Sequence, residues 1–242
     1  MFDRDTSYPT AVASYDTDGV KAALDWCCEL MEDGDTLTVW THLKSNLENS
    51  HVLESFVNRY SDVRHVTGRG GGYLRGRGPV LMAWADMDDI GKLVQFSGSH
   101  IRGLCVITWA PDRIRPWVTA TNPTILGDGS DWEEATPELD PVVVEAMKSM
   151  TLVINHNNTI SAGFEKDQVV GTLLALHKAR FRLDPDAMQG WALAHGWSGK
   201  NPQRLADYVK DINAGKRPRA RLVGADYIDH LRERAANPSS GE

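Results

Sequence analysis

The sequence predicts an α/β fold. It reads as a largely parallel Rossmann-like sheet flanked by helices, followed by an all-helical C-terminal extension. Three observations predict this. Apolar runs of strand length alternate with segments of helical period from residue 17 to residue 180, the pattern of a parallel sheet covered on both faces. One run, LCVITW at 104–109, is apolar almost throughout, as a strand buried on both sides should be. Beyond residue 184 the period is helical only, with Asp184-Pro185 and Asn201-Pro202 as helix starts. The predicted division is an α/β domain over 1–181 and a helical extension over 182–242.

The elements follow in order. Val20, Ala23, Leu24, Cys27, Leu30 and Met31 make one apolar face of a helix over 17–32. Gly34-Asp35 turns into a strand at 36–41, TLTVW and Thr41. Ser45 with Glu48 reads as a capping box for a helix over about 46–60. A short strand at 63–67 leads to the glycine loop, and VLMAW within 79–84 is the next strand. Asp86 is placed to cap a helix at 87–96, with Asp88 and Asp89 in its positive first turn. Strand 104–109 follows. Residues 110–140 carry four prolines and seven acids against two arginines, which predicts a long acidic loop or insertion. Asp140-Pro141 then opens a helix at 141–150, TLVIN at 151–155 reads as a strand, and a helix spans 165–180. Helices at 185–195, 202–213 and about 225–236 complete the chain.

At 242 residues, 41% hydrophobic, with eight tryptophans, the chain is long and apolar enough for a real core and is not of disordered composition. The net charge of −7 argues against indiscriminate binding of nucleic acid by the whole surface. Charge is uneven, however. Residues 64–77 hold four arginines and no acid, and residues 198–221 hold seven bases and two acids. Three cysteines without a CxxC spacing read as reduced core thiols of a cytoplasmic protein, not as a zinc site. The polar N-terminus does not read as a signal or transit peptide, and no apolar run reaches membrane-spanning length.

Ligands of doubly wound sheets gather beyond the carboxyl ends of the strands, so the residues that follow each strand are the candidates. The glycine loop offers Arg69, Gly70, Gly71, Gly72, Arg75 and Arg77. Glycine amides form anion nests and guanidinium groups fork onto phosphate. A strand follows this loop, not the helix a nucleotide fingerprint requires. In the segment 155–167, Thr159, Ser161 and Lys166 precede or open a helix and suit an anion, with His156 as a candidate general base. His42 after the first predicted strand and Asp86 after VLMAW complete a possible catalytic set with His156. Asp86, Asp88 and Asp89 also suit Mg²⁺ bound together with a phosphate. In the C-terminal extension, two short helices joined by HGWSGKN resemble a helix-turn-helix pair. Arg204, Lys216, Arg217 and Arg219 are its candidate phosphate contacts, and Trp191 and Trp197 read as core anchors.

The pieces TVWTHLK, a helix to Tyr60, VRHVTG, the glycine loop and VLMAWADMDDIG resemble, in that order, the second RecA-like domain of superfamily 2 helicases. The resemblance covers 36–109, under a third of the chain. It implies a RecA-like sheet. APDRIRPW lacks the paired-arginine motif of that family, and no Walker loop is present, so the implied module is degenerate and not an autonomous motor. The functional expectation is a binding or accessory protein that contacts a phosphate-bearing partner, foremost nucleic acid. The alternatives are a Rossmann-like enzyme acting on a nucleotide or phosphoester, and an assembly component that meets a protein partner through 110–140. No membrane partner is expected.

Overall fold

The structure is a computed structural model and describes residues 8–70, 74, 76–97, 100–129, 132, 137–155, 159–224 and 226–237. Six strands form one sheet: β1 (Thr10–Ser14), β2 (Leu37–Thr41), β3 (Val63–Thr67), β4 (Gly78–Ala83), β5 (Ile101–Thr108) and β6 (Thr124–Leu126). Every pairing is parallel, and the order is β3-β2-β4-β5-β1-β6. The predicted α/β sheet flanked by helices is therefore present, with helices at its C-terminal side.

Strand alternation builds two cores from one sheet. Ala11, Ala13, Leu37, Val39, Leu81, Ala83, Cys105 and Ile107 face α1 (Thr17–Glu29) and α2 (His51–Arg59). The intervening residues Val12, Trp40, Val80, Met82, Leu104 and Val106 face α3 (Met87–Ser97) and α4 (Arg115–Thr121). Right-handed crossovers explain the partition. The chain moves toward the β3 edge through α1 and α2, and toward the β6 edge through α3 and α4, so the two pairs lie on opposite faces.

Five helices follow or complete the chain: α5 (Pro141–Val153), α6 (Gly163–Lys178), α7 (Pro185–Ala194), α8 (Asn201–Asn213) and α9 (Tyr227–Ala236). They share a third core built on Val143, Met147, Met150, Leu173, Leu176, Trp197, Leu205, Val209 and Leu231. The boundary expected between 181 and 182 falls inside this core, between α6 and α7. Helix α7 also docks the unit to the sheet. Leu193 joins the α3–α4 core, and Gly190 lets the backbone of α7 lie against Pro116 of α4, where a Cβ would collide with it.

Several local expectations are corrected. The strand β1 was not expected; TAVAS is short and rich in alanine, so it lacks a strand's β-branched signature. The segment TLVIN is not a strand. Thr151 lies in α5, where its hydroxyl donates to the Met147 carbonyl at 2.8 Å and accepts from Trp197 Nε1 at 2.7 Å. An apolar run this short fits either period, and packing against Trp197 decided for helix. Ser45 and Glu48 do not cap α2. They lie in a 3₁₀ segment, Lys44–Asn49, and Ser50 accepts from the Leu53 amide instead. Of the two readings of residues 110–140, a long loop or an insertion with short elements of its own, the second fits: they contain α4, with Trp117 buried, and the edge strand β6. Cys27 and Cys105 are buried as expected, but Cys28 is exposed.

The glycine loop is also corrected. Because β2 lies between β3 and β4, the chain from 68 to 77 must travel from the carboxyl edge of the sheet back to its amino edge. Among the described residues of this stretch, Gly68 lies against Trp40 and Leu74 packs on the same core as Trp40, on the α3–α4 face. Arg77 ends the crossing at the amino edge, where its carbonyl accepts from Thr36 at 2.9 Å. Gly78 has φ +152°, and a Cβ there would collide with the Thr36 carbonyl.

Candidate functional site

At the carboxyl edge the connections leaving neighbouring strands separate to opposite faces in two places. Between β2 and β4 the chain departs toward α2 on one face and α3 on the other. Between β5 and β1 it departs toward α4 and α1. Such divergences open the crevices where ligands of α/β sheets bind.

The first crevice is lined by polar groups. His42, just beyond β2, is exposed, and its Nδ1 lies 3.6 Å from Asp89 Oδ1. The Asp89 side chain is 8% exposed and also meets Lys92 Nζ at 3.5 Å. Burial, then the neighbouring Asp86, push the Asp89 carboxyl above the ordinary aspartate range. Asp88 is shifted the same way for the same leading reasons, and accepts from Gln189 Nε2 of α7 at 2.9 Å. Asp86 caps α3 by accepting from the Asp89 amide at 2.9 Å. On the α1–α2 face of the same strand end, the Thr41 hydroxyl donates to the Leu43 carbonyl at 2.7 Å and therefore accepts from His65 Nε2, also at 2.7 Å. Burial, and then Lys44, lower the His65 pKa, which keeps this ring neutral.

The expected catalytic set is thus brought together in part. His42 and Asp86 stand on neighbouring strand ends, and His42 meets Asp89 more directly than Asp86. His156 lies outside the described residues. The expected Mg²⁺ ligands Asp86, Asp88 and Asp89 have separate protein partners, and among the described residues no three His, Cys, Asp or Glu side chains converge as a metal would need.

The second crevice is aromatic. Trp84 ends β4 with φ +61°, and its amide donates to the Ile107 carbonyl at 2.7 Å. A bulky residue in the left-handed region is strained unless its surroundings hold it there. Its ring stacks on Trp109, which ends β5, with centroids 5.8 Å apart and planes at 25°. Trp109 is 52% exposed and Tyr15, just beyond β1, is 58% exposed. These residues were missed in the sequence. The available signal was their position, since each is an aromatic residue immediately following a strand.

The anion candidates are dispersed. Arg69 follows β3 at the carboxyl edge and is exposed. Arg77 lies at the opposite edge, beside Thr36 and within electrostatic reach of Asp35. Gly70 ends the turn after β3, while Gly71, Gly72 and Arg75 lie outside the described residues. The loop therefore does not present all its arginines on one rim. Nor does Thr159 follow a strand. It accepts from Arg204 of α8, while the Ile160 amide donates to Asn201 Oδ1 at 3.1 Å and its carbonyl accepts from Tyr208 at 2.9 Å. Thr159 and Arg204 thus serve the packing of α8. Ser161 is exposed and Lys166 is half-buried in the first turn of α6. Trp197 is fully buried and Trp191 nearly so, with His195 stacked on Trp191 at 3.7 Å between centroids.

The basic run after α8 has a regular arrangement. Lys216 pairs with Asp211 at 2.7 Å. Arg217, Arg219 and Arg221 are exposed, while Pro218 and Ala220 between them are half-buried. The segment lies directly on α6: Gly171 leaves room for the Arg221 carbonyl, where a Cβ would collide.

A family described as a domain of unknown function, DUF1889, matches residues 139–232, which run from the start of α5 into α9. No curated protein and no solved structure matches the chain.

Proposed function

We propose that the protein is a binding or accessory module for nucleic acid, held through phosphate contacts by the run at 216–221. The observation that carries this reading is the close set of three exposed arginines, Arg217, Arg219 and Arg221, on a segment anchored to α6. Arginine forks onto phosphate without the pKa adjustments a lysine would undergo. Arg69 at the carboxyl edge adds a further contact. The 36–109 region, read as a degenerate RecA-like module, supplies a rigid support for this binding and no motor.

Salt dependence tests the reading. Binding of a labelled single-stranded oligonucleotide, followed by anisotropy, should weaken linearly on a log–log salt plot. Replacing Arg217, Arg219 and Arg221 together by alanine should reduce the slope by about 2, at roughly 0.7 per lost phosphate contact. No retention at low salt, or an unchanged slope in the triple variant, rejects the proposal.

A further inference from the structure

We infer that Trp84, Trp109 and Tyr15 form a shelf that receives an arginine or lysine side chain from a basic peptide segment of a partner protein. The three residues leave adjacent strands side by side. Ser14 pairs with Thr108, so Tyr15 and Trp109 emerge as neighbours, and the Trp84 ring lies stacked on Trp109. Two of the three rings are more than half exposed. They flank the divergence of β5 and β1, where the fold opens a crevice by construction. The left-handed backbone at Trp84 turns that ring onto Trp109 instead of continuing the strand.

Charge selects the occupant. Aromatic faces accept either a cation or a stacked base. Around the shelf, at the ends of β1, β4, β5 and β6, stand Asp16, Asp86, Asp112 and Asp128, against Arg113 and Arg115. Arg115 is already bonded to Asp112 at 2.7 Å. Lys21 and Asp18 of α1 pair with each other. Asp16, beside Tyr15, accepts from the amides of Asp18 and Gly19 and from the Ser14 hydroxyl, and these bonds hold it ionised. A phosphate-bearing strand would meet net repulsion here. A guanidinium or ammonium group finds both the negative face of the indole and a surplus of carboxylate. This site is separate from the arginine run and of opposite preference, so it does not depend on the nucleic-acid reading.

The test uses the whole chain titrated with an oligoarginine peptide, followed by tryptophan emission and by calorimetry at moderate salt. Trp109→Ala should weaken the peptide roughly three- to tenfold, with Trp109→Phe retaining part of the affinity and Tyr15→Ala losing a smaller part. Circular dichroism of each variant checks that the fold is intact, and Tyr15→Ala is the second route should Trp109→Ala unfold. The triple arginine variant should bind the peptide as the unaltered chain does. Equal affinity in the Trp109 and Tyr15 variants would mean that surface charge alone holds the peptide, and would overturn the inference. So would the absence of any peptide binding.

Discussion

The two edges of the same sheet are built differently. At the amino edge, Arg102 binds Glu32 and Asp35, with Nη1–Oε1 and Nε–Oδ2 both at 2.6 Å, and Asp35 also accepts from the Glu32 amide at 3.0 Å. Gly78 and the Arg77 carbonyl close onto Thr36 beside this network. The Arg102 guanidinium holds the Asp35 carboxyl below its ordinary range. At the carboxyl edge the signs reverse. Asp88 and Asp89 are pushed upward by burial and by Asp86, Trp84 sits in a left-handed backbone, and aromatic faces remain open. One edge is arranged for stability. The other keeps strain and imperfectly compensated charge where a ligand could use them.

The largest expected break in this contrast comes from the amino edge. Gly78→Ala forces a Cβ into the Thr36 carbonyl at a φ that side chains rarely adopt, and should cost about 2–3 kcal/mol in urea unfolding. At the carboxyl edge, Trp84→Gly should unfold at a higher urea midpoint than Trp84→Ala, by about 1 kcal/mol, because only glycine relieves the left-handed backbone. Equal stability of the two variants would show that no strain is held there. The smallest effect separates the edges by pH. The Asp35 contribution is present above the unfolded aspartate pKa and is lost as pH falls through its lowered folded value. The Asp88 and Asp89 contributions have the opposite sign. Stability is full below the unfolded pKa and erodes as pH rises through their raised folded values. Arg102→Met should therefore flatten the acid limb of a stability–pH curve, and Asp88→Asn should flatten the decline on its neutral side.

Much of the sheet was legible because its central strands are strongly apolar and its helices are capped by plain signals. Asp140-Pro141 and Asp184-Pro185 cap α5 and α7 as expected, with the Val142 amide donating to Asp140 at 2.8 Å and the Ala187 amide to Asp184 at 3.0 Å. The short strands β1 and β6, neighbours at one side of the sheet, were not legible. TAVAS and TIL are three to five residues long, and short strands are recognised by their partners more than by their own composition. The candidate sites divided in the same way. The seating of the Arg217–Arg221 segment depends on a neighbour, α6, that only packing supplies. His42 and Asp89 are separated in sequence by α2, β3, the glycine loop and β4, and meet only because β2 and β4 pair.

By itself, the sequence determined the class of fold, the helix starts and the location of basic charge, because these follow from local period, capping chemistry and composition. Strand order was decided only in three dimensions. Placing β2 between β3 and β4 put Arg69 and Arg77, at the two ends of the glycine loop, at opposite edges. Register did the same for the aromatic residues, since pairing β1 and β4 with β5 is what gathers Tyr15, Trp84 and Trp109. Such juxtapositions arise from long-range strand pairing, in which distant segments meet through backbone hydrogen bonds that carry no mark in either segment alone.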